Sequence, residues 1–213
     1  MLVSISTMPA GKDYLKLVKD VQNFADFMHL DVCDGEYNQT TCFSDEWAKD
    51  INANSTIPLD CHLMTKKPKQ FAELYLKSGA NIITAHIEAF ESDNEIEEYI
   101  DFVKANNALV GLSLEPKTPI ERLMPFLSKL DIALVMSVQT GASGQKFDTS
   151  ILSKLETLNK LKDQKDYHFK IQVDGGITDQ TAKLVKDYGV DIVVSGSYVF
   201  KSQDRRTAID SIR

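Results

Sequence analysis

The chain has 213 residues, 43% of them hydrophobic and 26% charged, which excludes a disordered or collagen-like polymer and leaves room for one large domain. Its 24 Lys and Arg against 31 Asp and Glu give a formal charge of −7, the wrong sign for a protein that holds nucleic-acid phosphates through clustered bases. No apolar run approaches the roughly 20 residues that span a bilayer. Met1-Leu2-Val3-Ser4-Ile5-Ser6 lacks the layout of a secretory signal, and Cys33, Cys42 and Cys61 have no CxxC spacing. Reduced thiols in a cytoplasmic protein that binds neither nucleic acid nor membrane are the expectation.

In chain order, runs rich in Val, Ile and Leu read as strands at Leu2–Ser6, Phe27–Val32, Pro58–Met64, Asn81–Ile87, Ala108–Leu114, Ile132–Val138, Phe169–Val173 and Asp191–Gly196. Longer stretches with apolar residues at helical spacing separate them. Ile96, Tyr99, Ile100 and Val103 mark one such helix. Ile151, Leu155, Leu158 and Leu161 mark another, and Asp148-Thr149-Ser150 before them resembles a helix start. The count is eight strands alternating with eight helices, with no linker or charge block to divide them, so residues 1–213 are expected to form a single domain. Almost wholly apolar strands suit a parallel sheet covered on both faces. Eight βα repeats can close on themselves, which predicts an α/β fold of the (β/α)8 TIM barrel type. The competing open, doubly wound sheet would want a GxGxxG after the first strand, and there is none.

Polar residues on apolar strands carry the functional signal, because such a barrel gathers its reactive groups at the carboxyl ends of the strands. The second strand ends Met28-His29-Leu30-Asp31-Val32-Cys33-Asp34-Gly35, and alternation puts His29, Asp31 and Cys33 on one side. His62 lies near the end of the third strand, His86 at the end of the fourth, and Asp174 ends the seventh; His168 opens the seventh at the opposite face. Buried charges need partners or a metal. Two imidazoles and two carboxylates suit one divalent ion, zinc, iron(II), manganese or cobalt. A hydrogen-bonded His–Asp network without an ion is the structural alternative.

Small residues cluster where a phosphate would be held. Gly141-Ala142-Ser143-Gly144-Gln145 follows the sixth strand, Asp174-Gly175-Gly176 ends the seventh, and Ser195-Gly196-Ser197 ends the eighth. Such turns let backbone N–H groups approach an anion, and the loops after the last two strands of a barrel are a frequent phosphate site.

With these segments in place the chain resembles the ribulose-phosphate 3-epimerase family over nearly its whole length. The matching segments are Val3-Ser4-Ile5, His29 to Gly35, Pro58 to Met64, Ser78-Gly79-Ala80, His86-Ile87-Glu88-Ala89, Pro116-Lys117-Thr118-Pro119, Gly144-Gln145-Lys146-Phe147, Val173 to Ile177 and Ser195-Gly196-Ser197. The resemblance implies a barrel that inverts carbon 3 of a ketose phosphate with one divalent metal. It implies His29, Asp31, His62 and Asp174 as metal ligands, with Asp31 and Asp174 also the acid/base pair. Ser4 and His62 would touch the sugar. Gly141, Ala142, Ser143, Gly144, Gly175, Gly176, Gly196 and Ser197 would hold its phosphate. Met64 and Met136 match positions where the family sets soft side chains over the reacting atoms. D-ribulose 5-phosphate is the first expectation for the substrate, and association of copies into a homo-oligomer is compatible with the resemblance.

Several residues depart from the family pattern. Cys33 stands where a Met is usual, inside the mouth, where a thiol competes for soft metals. Glu36-Tyr37-Asn38-Gln39-Thr40 replaces a Phe-Val-Pro-Asn-like loop. Glu115-Pro116 replaces Asn-Pro and adds a carboxylate expected at the mouth, and Thr140 to Gln145 lacks the family's Phe. These changes open two other readings: a hexulose 6-phosphate substrate such as D-allulose 6-phosphate, or a non-catalytic sugar-phosphate-binding barrel. A decarboxylase of the orotidine phosphate type needs a Lys between its acidic residues, and Asp31-Val32-Cys33-Asp34 has none.

Overall fold

The computed structural model describes residues 1–42, 44–141 and 144–213. Eight parallel strands, β1 (Leu2–Ser6), β2 (Phe27–Asp34), β3 (Leu59–Met64), β4 (Ile82–His86), β5 (Leu109–Leu114), β6 (Ile132–Met136), β7 (Lys170–Asp174) and β8 (Ile192–Ser195), follow one another around a ring. The ring closes because β1 pairs with β8 on one side and with β2 on the other. This is the (β/α)8 barrel, and the strand bounds fall within two residues of those expected from the apolar runs. Every residue of β3, β4 and β6 is buried, as a parallel sheet with helices outside and side chains within requires.

Two apolar layers result. Outward side chains such as Val3, Leu30, Leu63 and Val193 pack under the helices, and Ile82, Ile132, Leu134, Met136 and Ile192 fill the barrel interior with Phe27. The helices are α1 (Tyr14–Val21), α2 (Asp45–Asn54), α3 (Pro68–Lys77), α4 (Asp93–Ala105), α5 (Leu152–Lys165), α6 (Asp179–Lys186), α7 (Ser197–Lys201) and α8 (Arg205–Ser211). Ile96, Tyr99, Ile100 and Val103 are the buried face of α4. Asp148 accepts a hydrogen bond from the Ser150 N–H, which opens a 3-10 turn that leads into α5.

The strict alternation of eight helices is corrected in two places. Between β5 and β6 the chain forms 3-10 turns, Ile120–Arg122 and Met124–Lys129, in place of an α-helix. Pro125 explains this: it has no N–H to donate and its ring clashes with the preceding turn. After β8 the segment divides into α7 and α8, with Asp204 capping the second by accepting from Thr207 N–H. The structure also adds a two-residue ladder, Thr41–Cys42, antiparallel to the end of β2 with Cys33 opposite Cys42.

Candidate functional site

Strand register brings the polar residues of β2 and β3 together. His29 lies beside Asp60 and Asp31 beside His62 along the β2–β3 ladder, while Asp174 ends β7 across the barrel. His29, Asp31, His62 and Asp174 thereby converge, each offering a ligand atom within 4.8 Å of the others. His29 Nε2 stands 3.5 Å from Asp31 Oδ1 and 3.7 Å from Asp174 Oδ2, and His62 Nδ1 stands 3.7 Å from each of those oxygens. Both imidazoles are fully buried.

The two nitrogens that face the carboxylates, His29 Nε2 and His62 Nδ1, are buried and make no hydrogen bond. Their other nitrogens are engaged. His29 Nδ1 is 2.8 Å from Asp60 Oδ2, which also accepts from Ser4 Oγ at 3.0 Å and Gln172 Nε2 at 2.7 Å. His62 Nε2 is 2.8 Å from His86 Nε2. A buried lone pair without a partner is costly, and two imidazole nitrogens aimed with two carboxylate oxygens at one point are a donor set suited to a divalent ion. The residues present fit a metal.

Electrostatics agree. Burial would lower the His29 pKa, but Asp60 and Asp31 outweigh it and hold it well above the usual histidine value. Burial likewise opposes protonation of His62, yet Asp174 and Asp31 raise its pKa to about 9. Burial disfavours the charged form of Asp31, and the two imidazoles more than reverse this and keep its pKa low. The carboxylates thus create a point that attracts positive charge.

Asp31 and Asp174 line a cavity at the carboxyl ends of the strands, together with Gly141, Gly144, Gly175, Gly176, Gly196 and Ser197. The expected phosphate residues Ala142 and Ser143 lie outside the described residues. Gly175 and Gly176 have φ of +108° and +59°, and a Cβ would come within 2.6 Å of Val138 Cγ2 at the first and of Phe147 N at the second. Only glycine fits this turn, which keeps its backbone open to the cavity. Met64 and Met136 line the same cavity, as does Met8.

Ser4 lies deeper than the cavity lining: its hydroxyl is buried and committed to Asp60. The hydroxyl that reaches Asp31 belongs to Ser6, which donates to Oδ2 at 2.7 Å. Ser6, Asp60 and the His86–Glu88 pair went unread in the sequence as site residues. Asp60 carried a usable signal, since it shares the inward side of its strand with His62 two residues on. Cys33 Sγ lies 4.0 Å from Met64 Sδ and is outside the four-residue cluster. Glu115, just past the carboxyl end of β5, accepts from Thr140 Oγ1 at 2.6 Å, and Thr140 lines the cavity. Burial raises the Glu115 pKa.

Residues 3–200 match the family model described as the ribulose-phosphate 3 epimerase family. The chain is 34% identical over 203 residues to a ribulose-phosphate 3-epimerase of Mycobacterium tuberculosis, covering 94% of this chain and 87% of that protein. It is 33% identical over 198 residues to the one from Bacillus subtilis, covering 92% and 90%. Among solved structures, 3-hexulose-6-phosphate synthase superposes with a TM-score of 0.73 at 16% identity, over 100% of this chain and 98% of the other. Orotidine 5'-phosphate decarboxylase from Pyrococcus horikoshii superposes at 0.69 and 11% identity, over 99% and 97%. These last two likenesses concern the fold. By sequence and by family model, the chain belongs to the ribulose-phosphate 3-epimerase family, isomerases that act on sugar phosphates.

Proposed function

We propose that the protein is a metal-dependent 3-epimerase that interconverts D-ribulose 5-phosphate and D-xylulose 5-phosphate. The observation that carries this reading is the pair of carboxylates, Asp31 from β2 and Asp174 from β7, at one cavity with two buried imidazole nitrogens left unpartnered between them. Inverting a carbon next to a ketone means taking its proton from one face and returning one to the other. Asp31 and Asp174, on different walls of the cavity, serve as the two acid/base groups, so the enediolate need not turn over. They share the histidines as neighbours. His29, Asp31, His62 and Asp174 would hold one divalent cation of zinc, iron(II), manganese or cobalt. When bound, it supplies Lewis-acid stabilisation of the developing oxyanion, worth on the order of several kcal/mol.

The chain's own groups do the rest. Ser6 Oγ–H holds Asp31 Oδ2 while Oδ1 faces the imidazoles. His62 would approach the sugar, with Ser4 supporting Asp60 and His29 from below. Gly141, Gly144, Gly175, Gly176, Gly196 and Ser197 would take the phosphate on backbone N–H groups, and Met8, Met64 and Met136 would exclude water from the reacting carbon.

A substrate panel of D-ribulose 5-phosphate and D-allulose 6-phosphate with metal-loaded protein tests the assignment, and turnover of the pentulose is expected to dominate. Asp31→Asn and Asp174→Asn should each lower kcat by about 10² to 10⁴. Near-parental rates in both variants would overturn the two-carboxylate mechanism.

A further inference from the structure

Behind His62, on the side away from the cavity, runs a second row of titratable groups that the reaction does not use. His86, at the end of β4, is fully buried. Its Nε2 lies 2.8 Å from His62 Nε2, and its Nδ1 lies 3.3 Å from Glu88 Oε2. Glu88 is held in turn on its other oxygen: Oε1 accepts from the Glu115 N–H at 2.8 Å and from the Thr118 hydroxyl. The Tyr37 ring, from the loop that departs from the family pattern, covers His86 at 5.0 Å between centroids.

We infer that Glu88 and His86 are positioning residues that fix His62 with its proton on Nε2 and its Nδ1 lone pair toward the cation, an inference that rests on the metal site proposed above. The argument is a count of hydrogens. Glu88 Oε1 accepts from two donors, and with Glu88 a carboxylate its Oε2 can only accept, so the Nδ1 of His86 carries the hydrogen between them. Two imidazole nitrogens 2.8 Å apart share one hydrogen, because two would collide and none would leave two lone pairs opposed. With Nδ1–H on a neutral His86, its Nε2 is an acceptor and the shared hydrogen belongs to His62 Nε2. In neutral His62, the form that can bind a cation, Nδ1 is then the lone pair, and it is one of the two buried nitrogens without a partner. The Ser113 hydroxyl, 3.4 Å from His62 Nε2, is a longer contact that fits the same order. Asp60 performs the corresponding task for His29 directly, through Nδ1. The two imidazoles therefore present opposite ring nitrogens to one point, and the longer arrangement through His86 is needed because His62 faces the site through Nδ1.

Outer partners of this kind typically contribute 10- to 100-fold to metal affinity. Zn²⁺ titration of metal-stripped parent, His86→Leu, His86→Gln and Glu88→Gln should show a Kd raised about 10- to 100-fold in His86→Leu and raised less in Glu88→Gln. His86→Gln should stay nearer the parent, because its amide oxygen can take the His62 Nε2 hydrogen. A merely structural role predicts equal affinity once folding is matched by circular dichroism, and that result in both His86→Leu and Glu88→Gln would overturn the inference. Nitrogen-15 histidine NMR of the Zn²⁺-loaded parent gives a test without variants: His62 protonated at Nε2 and His86 at Nδ1 is expected, and His86 protonated at Nε2 overturns it. Failure of the epimerase reading is distinguishable, because it would appear as a Zn²⁺-binding parent with no turnover on either sugar phosphate.

Discussion

Asp31 divides its oxygens between different neighbours, with Oδ1 toward the two imidazoles and Oδ2 accepting from Ser6. The bond to Ser6 restrains the carboxylate plane without occupying the oxygen that faces the site. Ser6→Ala should therefore leave the protein folded and lower kcat/KM by roughly 10-fold, the rate equivalent of one charge-assisted hydrogen bond of about 1.5 kcal/mol, and steady-state kinetics beside a thermal melt check this. The asymmetry also explains which site residues the sequence disclosed. His29, Asp31, His62 and Asp174 stood out because charged or aromatic polar groups interrupt otherwise apolar strands. Ser6 did not, since a serine at a strand end is an ordinary residue until the β1–β2 register sets it opposite His29 and its hydroxyl reaches Asp31. His86 was visible at its strand end, but its task depends on a contact between two strands that spacing within one strand does not encode.

Among the elements, the crossing from β5 to β6 has the least regular structure and the most specific support. Its two 3-10 turns follow Pro119 and contain Pro125, and the start of the connection is held by a side chain from another element. Lys154 of α5 donates to the carbonyl oxygens of Glu115, Pro116 and Thr118 at 3.0, 2.6 and 2.6 Å. Lys154→Met keeps most of the apolar stem and leaves these acceptors to water, so a loss of about 2 kcal/mol is expected, read as a fall of roughly 4–8 °C in Tm. Apolar periodicity identified the elements with long repeats, α4 and α5, because several turns of helix must bury one face. It gave too much helix between β5 and β6, where the backbone limits imposed by proline override the pattern. The two-residue Thr41–Cys42 ladder was below the length at which alternation can be read.

Across the whole molecule, the cluster of two carboxylates and two imidazoles at the mouth makes stability depend on what occupies it. Chelation should lower Tm and abolish turnover, and adding back zinc, iron(II), manganese or cobalt should restore both. At about 100 times its Kd, a bound cation contributes roughly 2.7 kcal/mol, or about 5–10 °C for a chain of this length. Part of the acid limb originates in Glu88. Burial raises its pKa, but His86 and Thr118 outweigh burial and bring it down from 4.5 to about 2. A depressed folded pKa contributes stability above about 4.5 that disappears as pH falls toward 2. In urea denaturation of metal-stripped protein the Glu88 share of the loss across that window should be on the order of 2 kcal/mol, read as the difference between parent and Glu88→Gln. The barrel itself was legible from eight apolar runs at regular intervals, because parallel strands covered on both faces cannot alternate with polar residues.

Ring closure also determines where the native molecule can be invaded. Each of the eight long strands has both neighbours filled, so the backbone offers no extended row of free N–H and C=O groups on which a foreign strand could add. Self-association into cross-strand aggregates must then wait for a seam to part. The β1–β2 and β7–β8 ladders, with three matched positions each against six between β2 and β3, are the shortest stitches in the ring and the places where such parting would begin.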